Sequence, residues 1–349
     1  MLKARFNNNE ELLKVLRTVE SILSVNSVGN KLRFVKLANV NNKLQITAIN
    51  PAMRLYYLMD VDDISGDTAL YDYKTLSSLL NVINGTVTIE DGSIKSTKCS
   101  YKIPCEGAEG YPEDIVPEIT NYIEVNTECF KIAVDNAGTA TDKMTQSIMS
   151  GVYLNEGKLI GCDSKRVAVE KVKTEGSIED IVLPKDFARE LTRLPFGDSV
   201  NISIFGEKII VNDSAIMFVC SKLADKYPKV EAVIPKNEKY KIQLKNEELT
   251  EALTLVAPII DEGTKECYLE YENDKMLVYV NNGLESAKTS ISIKSDAKEK
   301  VVVKFNIQFL LDMLKASGED VTITTYSDNI GYKFTSNKEG FQYIMPLLD

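Results

Sequence analysis

The chain of 349 residues carries a short motif at an interval close to one third of its length. Tyr111-Pro112 lies in the segment GYPEDIVPEI, and Tyr227-Pro228 lies in KYPKVEAVIP, 116 residues further along. The second segment ends at Pro235, which is 114 residues before the last residue. Because one third of 349 is about 116, this spacing predicts three parts of nearly equal length, although length alone also allows two domains.

Each third contains two segments with the apolar periodicity of an amphipathic helix. In the first third, Leu12, Leu13, Leu16, Val19 and Leu23 recur at the i, i+3, i+4, i+7 spacing of one helix face. The corresponding early segments of the other thirds are TECFKIAVDNAGTAT and KNEELTEALTLVAPI, and the later segments are YKTLSSLLNVI, PKDFARELTRL and NIQFLLDMLKA. The shared order of these segments favours a true triplication over three unrelated domains.

Alternating apolar and polar residues surround the helical segments, which is typical of strands in a sheet with one solvated face. Such strands are predicted at KLQITAI, TVTIED, KLIGCDS, VNISIFG, KIIVND, MLVYVNN and VTITTYS. The fold class is therefore α+β, with two helices and antiparallel sheets in each repeat. The predicted domains are residues 1–120, 121–240 and 241–349.

Composition argues against catalysis and against a bound metal. The chain has no histidine, which removes the commonest general base and the Ser/His and Cys/His nucleophilic pairs. The nearest match to a phosphate-binding loop runs from Gly151 to Lys158, but it has one residue too many between its glycines and is typical of a hairpin. No cofactor is expected. The cysteines contain no C-x-x-C pair and are predicted to be reduced, mostly strand-buried thiols: Cys99, Cys105, Cys129, Cys162, Cys220 and Cys267.

Charge and hydropathy bear on partners and compartment. No apolar run is long enough to span a membrane, and the segment MLKARFNNNEELL lacks the apolar region of a secretory signal, so a cytoplasmic protein is expected. The net charge of −10 by itself argues against nucleic acid as a partner. It does not say where the charges lie, and the last third alone, with 12 basic and 18 acidic residues, holds −6 of it.

Five segments, in the same order along the chain, resemble the bacterial DNA polymerase III beta subunit family, the sliding clamps. The longest is GVYLNEGKLIGCDSKRVAVEKV, at Gly151–Val172, and the others are LPKDFARELTRL, SKLADKYPKVEAVIPKN, FNIQFLLDMLKA and the final YIMPLLD. The sequence departs from the family at Ser164-Lys165, where the family has Gly-His, and in its Leu-Leu-Asp ending.

The resemblance implies a head-to-tail homodimer in which six domains form a ring, with helices lining the hole. Duplex DNA would pass through the hole without sequence preference, and the ring would tether the replicative polymerase for processive synthesis. A peptide-binding cleft would dock the DNA polymerase III alpha subunit, the clamp loader and other proteins with a clamp-binding motif, such as repair factors. Such a protein is not an enzyme and has no membrane partner. The acidic charge leaves one alternative open, a protein-interaction scaffold of clamp fold that does not encircle DNA.

The same resemblance carries functional residues onto this chain. The cleft would be formed by Met149, Ser164, Lys165, Arg166, Val167, Pro228, Val233, Phe309, Tyr343, Ile344, Met345, Pro346 and Leu347. The candidates for facing DNA are Lys14, Arg17, Lys74, Lys131, Lys143, Lys185, Arg189, Arg193 and Lys315. The dimer contact would place Lys98, Tyr101 and Ile103 of one copy against Pro258 and Ile259 of the other. Each set has an ordinary alternative: core packing for the cleft, solvated charges for the helices and an internal turn for the dimer contact.

Overall fold

A computed structural model describes residues 2–23, 31–112, 119–144, 147–230, 235, 237–326 and 331–346. The chain divides into two compact units. The first unit comprises Met1–Glu128, Thr174–Glu179 and Arg189–Lys222, and the second comprises Cys129–Lys173, Asp180–Ala188 and Leu223–Asp349. Residues of the middle third therefore contribute to both units.

The six predicted helices are confirmed, with ends close to those that the sequence indicates. They are α1 (Glu10–Glu20), α2 (Tyr73–Val82), α3 (Thr127–Gly138), α4 (Lys185–Arg193), α5 (Asn246–Val256) and α6 (Ile307–Ala316). Side-chain caps fix two of the starts, since the Asp72 carboxylate accepts the N–H of Thr75 before α2 and the Asn306 amide oxygen accepts the N–H of Gln308 before α6. Short 3₁₀-helices lie at Lys31–Arg33, Ile148–Ser150 and Ala257–Ile259.

The strands follow one repeated order along the chain: one strand, a helix, five strands, a helix and three strands. In the first third, which ends with one additional strand, they are β1 (Leu2–Phe6), β2 (Phe34–Val40), β3 (Lys43–Ile49), β4 (Met53–Met59), β5 (Asp63–Gly66), β6 (Thr68–Asp72), β7 (Val87–Glu90), β8 (Ser93–Ser96), β9 (Ser100–Lys102) and β10 (Cys105–Glu106). In the second they are β11 (Tyr122–Asn126), β12 (Val152–Asn155), β13 (Lys158–Cys162), β14 (Val167–Lys171), β15 (Thr174–Gly176), β16 (Ile181–Leu183), β17 (Ser199–Phe205), β18 (Lys208–Asn212) and β19 (Ile216–Ser221). In the third they are β20 (Glu238–Lys245), β21 (Glu266–Glu272), β22 (Lys275–Asn281), β23 (Ser286–Ser292), β24 (Lys294–Ser295), β25 (Val301–Asn306), β26 (Asp320–Tyr326), β27 (Gly331–Ser336) and β28 (Gln342–Pro346).

Each unit contains two antiparallel sheets. The first unit has a five-stranded sheet in the order β5-β1-β7-β8-β9 and a ten-stranded sheet in the order β10-β6-β2-β3-β4-β19-β18-β17-β11-β15. The second unit has a nine-stranded sheet in the order β16-β12-β13-β14-β28-β27-β26-β20-β24 and a four-stranded sheet in the order β23-β22-β21-β25. Both large sheets thus join strands from neighbouring thirds of the sequence.

Two strand pairs make these joins. In the first unit β4 pairs with β19, so that Leu55 lies opposite Phe218. In the second unit β14 pairs with β28, so that Val167 lies opposite Ile344. The joins are apolar, and the large sheets continue across them without a break in hydrogen bonding. The boundaries at residues 120 and 240 remain a prediction, since the compact units divide the chain elsewhere.

The core of the second unit forms where α5 and α6 pack on the sheets. Leu253, Leu310 and Phe334 are fully buried there, and Phe305 meets Phe334 edge to face at 5.8 Å between ring centroids. In the first unit α1 buries Leu12, Leu16 and Val19, as the apolar stripe predicts, whereas Leu13 is only half-buried. These cores hold the helices in fixed positions on their sheets and leave the polar helix faces exposed.

The cysteines differ in part from the expectation of strand-buried thiols. All six are free, but only Cys162, Cys220 and Cys267 are buried. Cys105 and Cys129 are exposed and Cys99 is half-buried, because these residues lie at a short peripheral strand, a helix surface and a turn rather than inside a sheet. Within the ranges described above, no helix is both long and apolar enough to cross a membrane.

Candidate partner-binding groove and basic helix surface

A groove of about 360 Å³ lies in the second unit, beside the join between β14 and β28. Its walls come from the 3₁₀-helix at Ile148–Ser150, the turn between β13 and β14, the segment Pro228–Val230 and the ends of β27 and β28. The lining residues are Met149, Cys162, Ser164, Lys165, Arg166, Val167, Pro228, Lys229, Val230, Pro235, Gly331 and Ile344. A mainly apolar concave surface with a few polar groups is typical of a site that receives a short peptide or small ligand.

A tight turn between β13 and β14 presents two of these residues to the groove. The Asp163 carboxylate accepts the backbone N–H of Lys165 at 3.1 Å and that of Arg166 at 3.0 Å. Ser164 has φ = 67°, a left-handed conformation that favours glycine. This is the position at which the resembling family has glycine, and the carboxylate holds the turn in the same conformation with serine in place.

Arg166 fixes one wall of the groove from beneath. Its side chain is 3% exposed, Nε donates to the Asp163 carboxylate at 2.9 Å, and Nη1 donates to Asp312 at 2.6 Å and to the Tyr343 hydroxyl at 3.1 Å. The guanidinium lies over the Phe309 ring, 4.1 Å from its centroid. Burial opposes its charged form, yet the neighbouring Tyr343, Asp312 and Asp163 raise the pKa of Arg166 above its ordinary value. The arginine is therefore a permanent cation that ties the turn to α6 and β28.

Aromatic packing supports the opposite side. The rings of Tyr153 and Tyr227 stack at 4.7 Å with 5° between their planes, and the Tyr227 hydroxyl donates to the Ile160 carbonyl at 3.4 Å. Val230 and Ile344 pack in the same apolar cluster. Burial raises the pKa of the Cys162 thiol in the groove lining, so the thiol form predominates there at neutral pH.

The structure brings most of the predicted cleft residues together. The groove is lined by Met149, Ser164, Lys165, Arg166, Val167, Pro228 and Ile344. Phe309 lies beneath the Arg166 guanidinium and does not line the groove. Val233, Leu347 and the side chain of Pro346 lie outside the described residues.

Tyr343 and Met345 have a different position from the one expected for a docked chain end. Tyr343 is 0% and Met345 1% exposed, and both belong to the core of the second unit. The reason is that β28 is an interior strand, paired with β14 on one side and β27 on the other. An alanine at Met345 would therefore leave a cavity in the core and is unsuited to testing the groove.

The sequence analysis missed five lining residues: Cys162, Lys229, Val230, Pro235 and Gly331. Three of them flank predicted positions directly and could have been included on that basis. Gly331 opposes Pro346 across the β27–β28 pair, and local sequence carries no signal for such a partner.

A basic depression of about 340 Å³ lies in the first unit, between α1 and the end of α4. It is lined by Lys14, Arg17, Thr18, Ser21, Glu190, Arg193 and Leu194. Arg17 donates from Nη2 to the Asn81 side chain of α2 at 2.9 Å. Lys14 and Arg17 are exposed on the side of α1 opposite its buried leucines, so the helix presents an apolar face inward and a cationic face outward.

Glu190 organises two arginines beside this depression. Its carboxylate is 4% exposed and lies 3.1 Å from Nε of Arg189 and 3.4 Å from Nη1 of Arg193. The arginine side chains themselves are 55% and 64% exposed. Each guanidinium is thus restrained at one nitrogen while its remaining donors face solvent.

The other basic candidates differ in exposure. Lys74 on α2, Lys143 and Lys315 in the last turn of α6 are exposed. Lys185 donates to the backbone carbonyl of Lys143 at 2.9 Å. Lys131 on α3 is half-buried, and burial lowers the pKa of its ammonium group.

The residues predicted for a dimer contact lie next to strands at sheet edges. Tyr101 is in β9, which ends the five-stranded sheet, and Ile103 follows it, 9% exposed, with its N–H donating to the Gly92 carbonyl at 2.7 Å. Lys98 precedes β9 and is exposed. Pro258 and Ile259 form part of the 3₁₀-helix after α5, close to the turn that joins β22 and β23.

That turn connects the second edge strand to the same region. The Asn282 side chain donates to the Ile259 carbonyl at 3.1 Å, and Leu284 at its tip is 96% exposed. β23 ends the four-stranded sheet. In the described part of the chain, β9 and β23 each have a strand neighbour on one side alone.

No group of three or more acidic or cysteine side chains in the described ranges is arranged to hold a metal ion.

Comparison with known proteins identifies the class to which this fold and groove belong. The family "DNA polymerase III beta subunit, C-terminal domain" matches residues 231–341. The beta sliding clamp of Helicobacter pylori strain ATCC 700392 / 26695 is 23% identical over 331 residues, covering 89% of this chain and 88% of that protein. The beta sliding clamp of Rickettsia felis is 23% identical over 370 residues, covering 96% of this chain and 97% of its own.

Solved structures share the architecture over the full length. The DNA polymerase III beta subunit of Thermotoga maritima is 18% identical, with a TM-score of 0.85 and complete coverage of both chains. The Helicobacter pylori beta clamp bound to a DNA ligase peptide is 20% identical, with a TM-score of 0.86, and covers 99% of this chain and 100% of that one. The fold is thus that of a DNA clamp. The chain belongs to the bacterial DNA polymerase III beta subunits, the sliding clamps.

Proposed function

We propose that this chain is a DNA sliding clamp, which encircles duplex DNA and tethers the replicative DNA polymerase for processive synthesis. The observation that carries the proposal is its similarity to beta sliding clamps along nearly the whole chain, 96% of it in the case of the Rickettsia felis protein. The family acts without catalysing a reaction, so no active site is required. We propose the cytoplasm as its compartment, since bacterial DNA is replicated there.

Three clamp domains, at residues 1–120, 121–240 and 241–349, account for the repeated order of elements. The order of one strand, helix, five strands, helix and three strands occurs three times, once in each proposed domain. The joins between strands support the same division. β4 and β14 hold equivalent places in the first and second repeats, and their partners β19 and β28 hold equivalent places in the second and third.

This equivalence indicates how two chains would close a ring. By position in the repeat, the counterpart of β4 and β14 in the third domain is β23, and the counterpart of β19 and β28 in the first domain is β9. These are the two sheet edges described above, so a third join between copies would use β9 of one and β23 of the other. Such a contact is heterologous and closes only if the rotation between copies fits a ring, which six domains from a head-to-tail homodimer satisfy.

The proposed dimer contact places Lys98, Tyr101 and Ile103 next to the partner's third domain, with Pro258 and Ile259 on the other side. The exposed Leu284 lies at the end of β23 and would be covered by the same contact.

Duplex DNA would be held by basic side chains on the helices, through sequence-independent phosphate contacts. The best supported are Lys14, Arg17 and Arg193, which line one depression, and Arg189 beside it. Lys74, Lys143, Lys185 and Lys315 would add weaker contacts, and Lys131 the least because it is half-buried. A net charge of −10 for the chain would discourage DNA from binding elsewhere on the protein.

The groove would dock peptide segments of the DNA polymerase III alpha subunit, the clamp loader and other partners with a clamp-binding motif. Its apolar lining suits the anchors of a short linear peptide. The solved Helicobacter pylori clamp, whose fold this chain shares, is bound to a peptide of DNA ligase.

Topology provides the decisive test. The protein is loaded onto a nicked circular plasmid by its clamp loader, isolated by gel filtration, and the circle is then cut once with a restriction enzyme. We expect retention on the circle and loss after cutting, because a ring slides off free ends. Equal retention on cut and uncut DNA would refute encirclement. A triple variant, Lys14→Gln/Arg17→Gln/Arg193→Gln, is expected to remain on the circle but to slide with weaker dependence on salt.

Solution mass tests the ring independently of DNA. We expect a species near twice the chain mass of 38.9 kDa by light scattering at micromolar concentration. A charge introduced into the proposed edge, Tyr101→Asp, is expected to shift it towards the monomer. A wild-type protein that stays monomeric at high concentration would contradict the head-to-tail dimer.

A further inference from the structure

The charged side chains that line the groove all have the same sign. They are Lys165, Arg166 and Lys229, and no aspartate or glutamate lines the described part of the groove. The chain as a whole has a net charge of −10, so this surface is the opposite of the protein's average. Such a local inversion is a feature that a partner can read.

Two of the three cations are uncompensated. Arg166 is buried and already binds the carboxylates of Asp163 and Asp312, so its charge is satisfied inside the protein. Lys165 and Lys229 are exposed, and neither makes an ion pair with any described residue. The two lysines therefore provide the free positive charge at the groove.

The geometry of the turn keeps one of them there. Lys165 follows Ser164, whose left-handed conformation is held by the Asp163 carboxylate through two backbone hydrogen bonds. Lys229 follows Pro228, whose ring restricts the backbone, and precedes the buried Val230. Both lysines project from anchored backbone, so their charge is tied to the groove even though their side chains are flexible.

We propose that the groove selects peptides that carry acidic residues beside their apolar anchors. This rests on the proposed function, in which the groove is the docking site for partner peptides. The apolar lining supplies affinity for the anchors, while Lys165 and Lys229 discriminate among peptides with equal anchors. Charge complementarity of this kind affects specificity and association rate more than total affinity.

The apolar lining favours a peptide over nucleic acid as the acidic partner. Met149, Val167, Val230 and Ile344 offer no hydrogen-bond donors from their side chains, whereas a phosphate backbone needs repeated donors along its path. An anchor such as leucine or phenylalanine gains from burial there, and the two lysines can pair with carboxylates on either side of it.

The test uses matched fluorescein-labelled decapeptides and the full-length protein. The peptides share two leucines and a phenylalanine as anchors and differ only at two flanking positions, which are both aspartate in one peptide and both asparagine in the other. Dissociation constants are measured by fluorescence anisotropy at 50 mM and 500 mM NaCl. We expect the aspartate peptide to bind roughly three- to tenfold more tightly at low salt, with the ratio falling towards one at high salt.

Lysine variants assign the effect to the groove. In the double variant Lys165→Gln/Lys229→Gln, the ratio of the two affinities is expected to fall to about one. The matched control is Lys298→Gln, which removes an exposed lysine from outside the groove and should retain the wild-type ratio.

The outcomes separate the two levels of the proposal. Equal binding of both peptides by the wild type would overturn the charge selection and leave the docking function standing. Failure of both peptides to bind would refute the groove as a docking site, and the selection with it. Displacement of the aspartate peptide by a single-stranded oligonucleotide, with the same dependence on both lysines, would show that the groove binds nucleic acid instead.

Discussion

Replacing Arg166 with methionine would remove the buried cation that ties the groove turn to α6 and β28. Methionine keeps an apolar stem of similar length over the Phe309 ring, so the change isolates the charge and its hydrogen bonds. The variant loses the bonds to Asp163, Asp312 and the Tyr343 hydroxyl, at 2.9, 2.6 and 3.1 Å. Two carboxylates then remain without their partner.

The expected loss follows from how deeply these groups are buried. Removing one member of a buried ion pair costs about 3–5 kcal/mol. The Arg166 side chain is 3% exposed, but those of Asp163 and Asp312 are 15% and 25% exposed, so water can partly solvate the orphaned carboxylates. We therefore expect the lower end of that range, about 3 kcal/mol, for the second unit.

Urea unfolding measured by circular dichroism and by hydrogen exchange of β14 and β28 provides the assay. A loss of about 3 kcal/mol corresponds to a midpoint lower by roughly 1 M for a unit of this size. The control is Arg193→Met, whose side chain is 64% exposed and which should shift the midpoint little. Equal midpoints for the two variants, or protection of β28 unchanged in Arg166→Met, would refute the reasoning.

Two further substitutions test local electrostatics and backbone strain in the second unit. Glu170 is 1% exposed and pairs with Lys338 at 2.8 Å and the Asn136 amide at 2.7 Å, yet burial raises its pKa above the ordinary value. A raised pKa of an acid in the folded state means that stability falls as pH rises from the unfolded pKa through the folded one. Glu170→Gln should therefore match the wild type near pH 4 and be the more stable protein at pH 7 in thermal melts, and a less stable variant at pH 7 would show that the Lys338 pair outweighs desolvation. Ser164→Gly relieves a non-glycine residue at φ = 67° and should raise stability by about 0.5–1 kcal/mol, read as a higher melting temperature, and a lower one would mean that the Asp163 turn already removes the strain.

The elements of this fold were predictable because their signals are local. The stripe of Leu12, Leu16 and Val19 specifies α1, and the pair Glu156-Gly157, with φ of 46° and 72°, specifies the turn between β12 and β13. What periodicity does not contain is the choice of strand partner. Leu55 and Phe218 lie far apart in the sequence, and nothing near either residue indicates that they face each other across β4 and β19.

The groove shows the same limit at the level of single residues. Lys165 was identified through its motif, whereas Lys229 was passed over although it follows Pro228 directly, because only the folded chain shows that the two lysines share one surface. Met345 was misjudged for a related reason. A segment near the chain end has no sequence signal that separates an interior strand from a docked tail, and the pairing of β28 on both sides decides the matter.

The β4–β19 join also has a consequence for the order in which this protein can fold during synthesis. β4 ends at Met59, but its partner begins at Ile216, so about 160 residues must be translated between them. At the usual bacterial rates the edge of β4 therefore stays open for roughly 10–30 s on the ribosome. During that interval the nascent chain exposes a strand with Met53 and Leu55 on the side that is later buried, and it depends on late pairing or on chaperones to avoid premature association.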